Sequence, residues 1–235
     1  MKLSIVMPAY NEESTISEIL SIVVNQIKEI SDLVLDYEII VINDFSKDKT
    51  LKVLEENFGV NDKIKVFSQA YNQGKGAAIT RGFKETTGDI VLIQDADMEY
   101  DPSDYRALIT PIVNKKADVV YGSRFKGETT RVLYYWHYLG NKFLTTLSNM
   151  FTNLNLTDME TCYKVFKGDL IRKMPLTSKR FGIEPEMTAK LSKIRDIRIY
   201  EVPISYYGRT YAEGKKIGWK DGFSALWSIV KFNLF

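Results

Sequence analysis

Asp95-Ala96-Asp97-Met98-Glu99 sets three carboxylates at alternate positions behind an apolar run. Alternate residues of an extended segment project to one side, and three carboxylates on one side repel one another unless a cation sits among them. A hard divalent ion with oxygen ligands, Mg²⁺ or Mn²⁺, suits the set, shared with a diphosphate. The other reading is a solvated acidic turn ahead of Pro102. Gly74-Lys75-Gly76-Ala77-Ala78 opens a helical pattern. Its small residues allow close approach of an anion to a helix N-terminus, or close packing of that helix on a sheet. The segment is neither a P-loop nor a dinucleotide fingerprint. Asp44 suits a nucleobase or ribose, or an N-cap. Arg124 suits a phosphate held by two parallel hydrogen bonds, or an ion pair with a loop carboxylate. The segment from Tyr207 to Lys216 mixes Arg209, Lys215 and Lys216 with Gly208 and Gly214. It suits a loop closing over a diphosphate, or a solvated basic loop.

The elements that must position these residues are legible as an alternation. Leu3–Met7, Tyr37–Ile42, Lys63–Ser68, Asp89–Ile93 and Ala117–Tyr121 read as buried strands. Between them, Glu12–Ile30, Asp48–Phe58, Gly74–Thr86 and Pro102–Asn114 carry helical spacing. Such alternation predicts a mainly parallel sheet flanked by helices, with right-handed crossovers. Ligands of open α/β sheets sit beyond the carboxyl ends of the strands, and the polar clusters fall at those ends. After Gly122 the rhythm changes: Arg131–Asn153 reads as a long aromatic-rich helix, Cys162–Phe166 as a strand, Pro185–Ser192 as a helix, Ile197–Val202 as a strand and Trp219–Phe232 as a terminal amphipathic helix. No repeat or linker divides the chain. The economical reading is one domain over 1–235, with a nucleotide-type half, 1–124, and an acceptor-type half, 125–235.

The 235 residues suffice for one large α/β domain with a sizeable core, or two small ones. A net charge of +2 argues against a dedicated nucleic-acid binder. The average hides a split: residues 1–128 carry 15 Lys/Arg against 21 Asp/Glu, residues 129–235 carry 17 against 9, and no acid lies between Thr129 and Thr157. Such a split suits a metal-plus-anion site or a membrane-surface face. The single cysteine, Cys162, rules out a disulfide within the chain, and the single His137 rules out a two-histidine metal site. No signal peptide or membrane-spanning run is apparent, so the expectation is a cytoplasmic chain, soluble or peripheral to a membrane. Leu133, Tyr134, Tyr135, Trp136, Tyr138, Leu139, Phe143, Leu144, Leu147, Met150 and Phe151, accompanied only by basic charges, suit either a membrane interface or packing in a core or an oligomer contact. Trp219, Phe223, Leu226, Trp227 and Val230 pose the same choice, with core docking favoured.

Together the loops resemble glycosyltransferase family 2, the inverting GT-A fold, and more closely the polyprenyl-phosphate glycosyltransferases of the dolichyl-phosphate mannose and glucose synthase group. The resemblance is carried by Pro8-Ala9-Tyr10-Asn11-Glu12, Asn43-Asp44-Phe45-Ser46, Asn72-Gln73-Gly74-Lys75-Gly76, Asp95-Ala96-Asp97, Gly122-Ser123-Arg124, Thr157-Asp158 and the loop around Arg209. These occur in the family's order over nearly the whole chain. The resemblance implies that Pro8, Tyr10, Glu12 and Asp44 line the nucleoside pocket, with Gly74 and Lys75 nearby and Lys215 in the closing loop. It implies that Asp95, with Ala96 beside it, faces the ribose and metal side, and that Asp97 and Glu99 hold the ion. Arg124 and Arg209 match arginines that handle the acceptor phosphate and the donor diphosphate. Asn43 stands where many members have Asp, Cys162 where many have Gly, and the transmembrane helices that follow in many relatives have no counterpart in this sequence.

The implied activity is transfer of a sugar from a UDP- or GDP-sugar to a polyprenyl phosphate at the cytoplasmic membrane face. An acceptor phosphate needs orientation and charge compensation but no general base. A sugar-hydroxyl acceptor would need one; Glu184 and Glu186 are the candidates by family position, then Asp158. Helix N-terminal charge stabilisation is the other role open to the two glutamates. A non-catalytic nucleotide-sugar-binding partner of a membrane complex is the third class, against which Asp95, Asp97 and Arg124 count.

Overall fold

A computed structural model describes residues 1–126, 131, 134–210 and 219–235, the side chains of 219–221 excepted. β1 (Lys2–Ala9) is apolar on both faces because helices cover both. α1 (Ile16–Glu29) follows, burying Ile16, Ile19, Leu20, Val23 and Ile27 at the spacing of one helical face. The helix begins later than the apolar spacing suggests. The Glu12 carbonyl accepts from the amides of Thr15 and Ile16, which makes Glu12–Thr15 a turn. β2 (Asp36–Asn43), α2 (Thr50–Phe58), β3 (Ile64–Ser68), α3 (Lys75–Glu85) and β4 (Ile90–Ile93) continue the alternation. Asp48 accepts from both the amide and the hydroxyl of Thr50, which fixes the start of α2. A single 3-10 turn, Pro102–Asp104, leads into α4 (Tyr105–Val113) and β5 (Val119–Ser123).

The second half comprises α5 (Tyr135–Thr152), β6 (Lys164–Lys167), α6 (Gly168–Arg172), α7 (Ile183–Ser192), β7 (Ile199–Pro203) and α8 (Trp219–Leu234). The short α6 was not expected from the sequence. The sheet order is β3-β2-β1-β4-β6-β5-β7. All pairings are parallel except those of β6, which runs against β4 and β5. By Asp158 the chain is already back beside Arg124 at the carboxyl end of β5, so the strand that follows must run the other way. β6 lies between β4 and β5, and β7 adds to β5. Residues 125–235 therefore complete the sheet begun by residues 1–124.

α5 buries Thr145, Ser148 and Thr152, with Leu144 and Leu147 against the core, and leaves Tyr135, Trp136, Tyr138, Leu139, Phe143 and Met150 exposed. α8 docks through Ala225, Ser228 and Ile229, which are buried, while Phe223 and Trp227 face outward. That corrects the expectation that Phe223 and Trp227 dock in the core. Gly182 explains the difference: a Cβ there would lie 2.3 Å from Ser228 Oγ. α8 thus approaches α7 through its small residues. Trp219 and Leu133 lie outside the described side chains. Among the described residues no helix is long and apolar enough to cross a membrane.

Candidate active site

The carboxyl ends of β1, β2, β4 and β5 open onto one polar surface. At the end of β2, Asn43 donates from Nδ2 to Ser68 Oγ and accepts at Oδ1 from the Ser46 amide. An amide supplies both donor and acceptor here, where a carboxylate could only accept. Asp44 is buried and accepts four hydrogen bonds: from Gln69 Nε2 at 2.8 Å, Asn72 Nδ2 at 3.0 Å, and the amides of Gln73 and Gly74 at 2.7 Å each. It caps neither α2 nor α3. It fixes the turn that leads into α3, and so places Lys75.

Gly74 has φ +97°, and a Cβ on it would lie 2.5 Å from the Lys179 carbonyl. A Cβ on Gly76 would lie 2.4 Å from the Ser178 carbonyl, and the Ala77 amide donates to Lys179 O at 2.9 Å. Close packing therefore explains these glycines. Glu186 is responsible for the loop they pack on. It is buried, and it accepts from the Thr177 amide and hydroxyl, the Ser178 amide and Lys190. Burial alone would raise its pKa; Lys190 and Ser178 bring it below the usual carboxylate value. Its hydrogen-bond partners lie in this loop and on α7, not among the strand-end residues, which gives Glu186 an anchoring place.

Lys75 pairs with Asp95 at 2.7 Å. Burial works against the charge on Lys75, but Asp95 and the nearby Cys162 and Glu184 hold its ammonium well above the usual lysine value. Three residues beyond Asp95, Met98 takes φ +64° and turns the chain between Asp97 and Glu99. Arg209 spans the two, donating from Nη2 to Asp97 at 2.7 Å and from Nε to Glu99 at 3.0 Å; its Nη1 is 3.8 Å from Glu12. Tyr206 donates to the other oxygen of Glu99 at 2.7 Å. Burial, then Asp95 and Glu99, push the Asp97 carboxyl up to about 7, against the pull of Arg209 and Lys75. The three carboxylates are thus near one another without converging: Asp95 is drawn to Lys75, Asp97 and Glu99 to Arg209. Among the described residues no three His, Cys, Asp or Glu side chains form a group that would hold an ion by themselves.

Arg124 grips Asp158, from Nε at 2.7 Å and Nη2 at 2.8 Å, and its own amide donates to the same carboxylate. Asp158 is fully buried. The guanidinium lies 5.2 Å from the Tyr206 ring and 5.6 Å from the Phe125 ring. The ion pair is therefore present, and it orients the guanidinium beside the Tyr206–Arg209 segment. Pro8, Tyr10 and Ala96 lie at the same strand ends, where Ala96 O accepts from Thr15 Oγ1. Lys215 lies outside the described residues.

Sequence reasoning missed Tyr206, which buttresses both Glu99 and Arg124, and Lys164, fully buried in β6. The signal for Lys164 was a charge inside the apolar run Cys162–Phe166. Tyr206 carried none beyond its place just ahead of Arg209.

The model of "Glycosyl transferase family 2" matches residues 4–174, a stretch that holds Pro8 through Asp158 of the site. The chain belongs to that family. This family 2 chain is 28% identical over 221 residues to a dolichol-phosphate mannosyltransferase of Pyrococcus furiosus, covering 93% of the chain and 60% of the relative. It is 28% identical over 234 residues to a low-salt glycan biosynthesis hexosyltransferase of Haloferax volcanii, covering 99% and 53%. It is 29% identical over 214 residues to a dolichyl-phosphate β-glucosyltransferase of Trichomonas vaginalis, covering 87% and 65%. The chain thus spans 53–65% of the length of these relatives. Among solved structures, glucosyl-3-phosphoglycerate synthase of Mycobacterium tuberculosis, in complex with Mn²⁺, UDP and phosphoglyceric acid, superposes with a TM-score of 0.74 at 19% identity, over 100% of this chain and 79% of that one. The GT-A fold expected from the resemblance is the fold observed.

Proposed function

We propose that this chain transfers a hexosyl group from a UDP- or GDP-sugar to a polyprenyl phosphate, working as a peripheral protein at the cytoplasmic face of a membrane. One observation carries the acceptor assignment: Arg124 is continuous with the exposed aromatic face. Phe125 stacks edge-on against Tyr138 of α5 at 5.3 Å, and Lys142 lies 4.9 Å from the Phe125 ring. A phosphate at Arg124 would therefore have an apolar, acid-free surface beside it for its lipid tail. The names of the dolichyl-phosphate relatives support the same reading.

The donor's diphosphate belongs at the carboxyl ends of β1 and β4, between Lys75 and Arg209. Asp97 and Glu99 fit a divalent ion: they are oxygen ligands, and Asp97 is pushed up to about 7 by burial and its acidic neighbours, a strain a cation would relieve. Together with diphosphate oxygens they would hold Mg²⁺ or Mn²⁺, as the fold neighbour's complex contains Mn²⁺ with UDP. Such an ion supplies charge neutralisation to the departing nucleoside diphosphate. Arg209 shifts from Asp97 and Glu99 to the diphosphate, and Lys75 adds a second positive charge. Arg124, held in place by Asp158, orients the acceptor phosphate. An oxygen of that phosphate attacks the anomeric carbon, the bond to the diphosphate breaks, and the configuration inverts. The phosphate is anionic at neutral pH, so no proton needs to be removed.

UDP- and GDP-sugars screened against a polyprenyl phosphate, with and without Mn²⁺, test the proposal by product mass. A metal-dependent lipid-linked sugar is expected. Product with a soluble sugar acceptor alone would overturn the lipid assignment and return Glu184 to consideration as a base. Nucleotide-sugar binding without transfer to any acceptor would favour a non-catalytic partner.

A further inference from the structure

Beside the site, four side chains gather around the stretch between Asp158 and β6. Lys164 donates to the carbonyls of Met159 and Thr161 and to Glu184 Oε2, so its three donors are used. Glu184 is 5% exposed and Thr161 fully buried. Yet Glu184 Oε1, Thr161 Oγ1 and the inaccessible Glu160 Oε1 have no hydrogen-bond partner. Only one other inaccessible side-chain atom among the described residues shares that condition, Thr80 Oγ1 on α3. An unsatisfied buried polar atom costs about 1–3 kcal/mol, and two on neighbouring residues with a third on Glu184, which shares the Lys164 ammonium with Thr161 O, point to a ligand that satisfies them together.

The chemistry of that ligand follows from the atoms. When ionised, the two glutamate oxygens accept only, and a threonine hydroxyl accepts or donates. The ligand must therefore bring several O–H or N–H donors close together. Its place follows from what surrounds the cluster. Glu184 interacts with Lys75 and Asp95 on one side, and Glu160 with Arg124 and Asp158 on the other. The cluster thus lies between the pair assigned to the donor diphosphate and the arginine assigned to the acceptor phosphate. What passes between those two ends is the sugar.

We propose that Glu160, Thr161 and Glu184 form the subsite that holds the hydroxyls of the transferred sugar, and that this subsite accepts a neutral hexose and rejects a uronic acid. The inference rests on the donor reading above. Two carboxylates face one ammonium, and burial together with Glu184 already pushes Glu160 up to about 7. A third carboxylate, from a uronic acid, would add like charge where charge is already crowded. The neutral hexose offers a row of hydroxyl donors instead.

Calorimetric titration of the chain with Mn²⁺ tests this without any acceptor. The probes are UDP, UDP-glucose and UDP-glucuronic acid, with GDP, GDP-mannose and GDP-mannuronic acid in parallel. Within the nucleotide series that binds, the uronic acid is expected to bind at least about tenfold more weakly than the hexose. Glu160→Gln keeps the shape, removes the charge, and is expected to narrow that gap to about threefold or less while leaving the affinity for free nucleotide unchanged. Thr161→Val removes a hydroxyl that has no internal partner. It should leave the melting temperature unchanged or higher, yet weaken nucleotide-sugar affinity by about three- to tenfold relative to nucleotide. A wild-type chain that binds the uronic acid as tightly as the hexose overturns the inference, as do variants that bind every probe like the wild type; nucleotide binding would survive either result. Failure of the wild type to bind any nucleotide would instead remove the donor reading, and the subsite with it.

Discussion

Asp97 and Arg124 show how much a single side chain's surroundings decide. Asp97 sits between two carboxylates and one guanidinium. Asp97→Asn keeps the shape and removes the charge that would hold the ion. Transfer should fall by about 10²–10³-fold, with circular dichroism and melting temperature unchanged; full activity would sink the metal assignment. Arg124 is different because its partner is fully buried. Arg124→Ala leaves Asp158 as an unpaired buried charge, and unfolding in urea should show a loss of about 3–5 kcal/mol. Adding Asp158→Asn removes the stranded charge. The double variant should regain most of the stability while acceptor KM stays raised, separating the phosphate role from the structural one.

At the scale of elements, the start of α3 is placed from two sides: Asp44 holds the turn before it, and the loop anchored by Glu186 packs beneath it. Gly→Ala inside a helix ordinarily stabilises by about 0.5–1 kcal/mol. At Gly76 the sign should reverse, because the new Cβ meets two carbonyls of that loop at 2.4 and 2.7 Å, and overpacking costs about 1–3 kcal/mol. Differential scanning calorimetry of Gly76→Ala reads the sign directly, and donor KM should rise as Lys75 shifts. The sheet has its own titratable tie. Glu38 of β2 is buried and bonded to Ser4 of β1, Lys65 of β3 and Thr87. Burial raises its pKa, but these partners outweigh it and bring the carboxyl down to about 2 from 4.5. A depressed folded value means stability that is present above about pH 4.5 and lost as pH falls toward 2, worth roughly 3 kcal/mol. Glu38→Gln should be less stable than wild type at pH 7, and the gap should close by pH 2 in urea unfolding curves.

For the whole molecule, the exposed face of α5 and α8 is where a membrane would meet the chain. Tyr135, Trp136, Leu139, Phe143 and Met150 project from one helix, Phe223 and Trp227 from the other, and α5 contains no acidic residue. Sedimentation with anionic vesicles should bring the chain down, and high salt should weaken the binding by screening its cations. Trp136→Ser with Trp227→Ser should reduce the bound fraction severalfold without lowering the melting temperature, since both side chains are more than half exposed. Equal binding by wild type and variant would leave the face to a protein partner or a second copy of the chain.

The local elements and the order of the loops are legible in the amino-acid sequence. Apolar runs of strand length, helical spacing from Ile16 to Ile27, and polar clusters at strand ends are local facts, and local facts survive folding. The sequence also placed Asp44, Lys75, Asp95, Asp97, Glu99 and Arg124 at those ends, and Arg209 in a basic loop. Their partners came only from the tertiary structure. Arg209 reaches Asp97 across more than a hundred residues, Arg124 finds Asp158 through the return of the chain after α5, and Glu186 turns away to anchor a loop. Spacing along the chain reports which residues share a face. It says nothing of which charge a folded neighbour will neutralise, because that depends on distances the sheet sets between segments far apart in sequence. The reversed β6 and the outward turn of Phe223 and Trp227 follow from the same cause. Strand direction is fixed by where the preceding segment ends, and a helix docks through whichever face lets the backbones come closest.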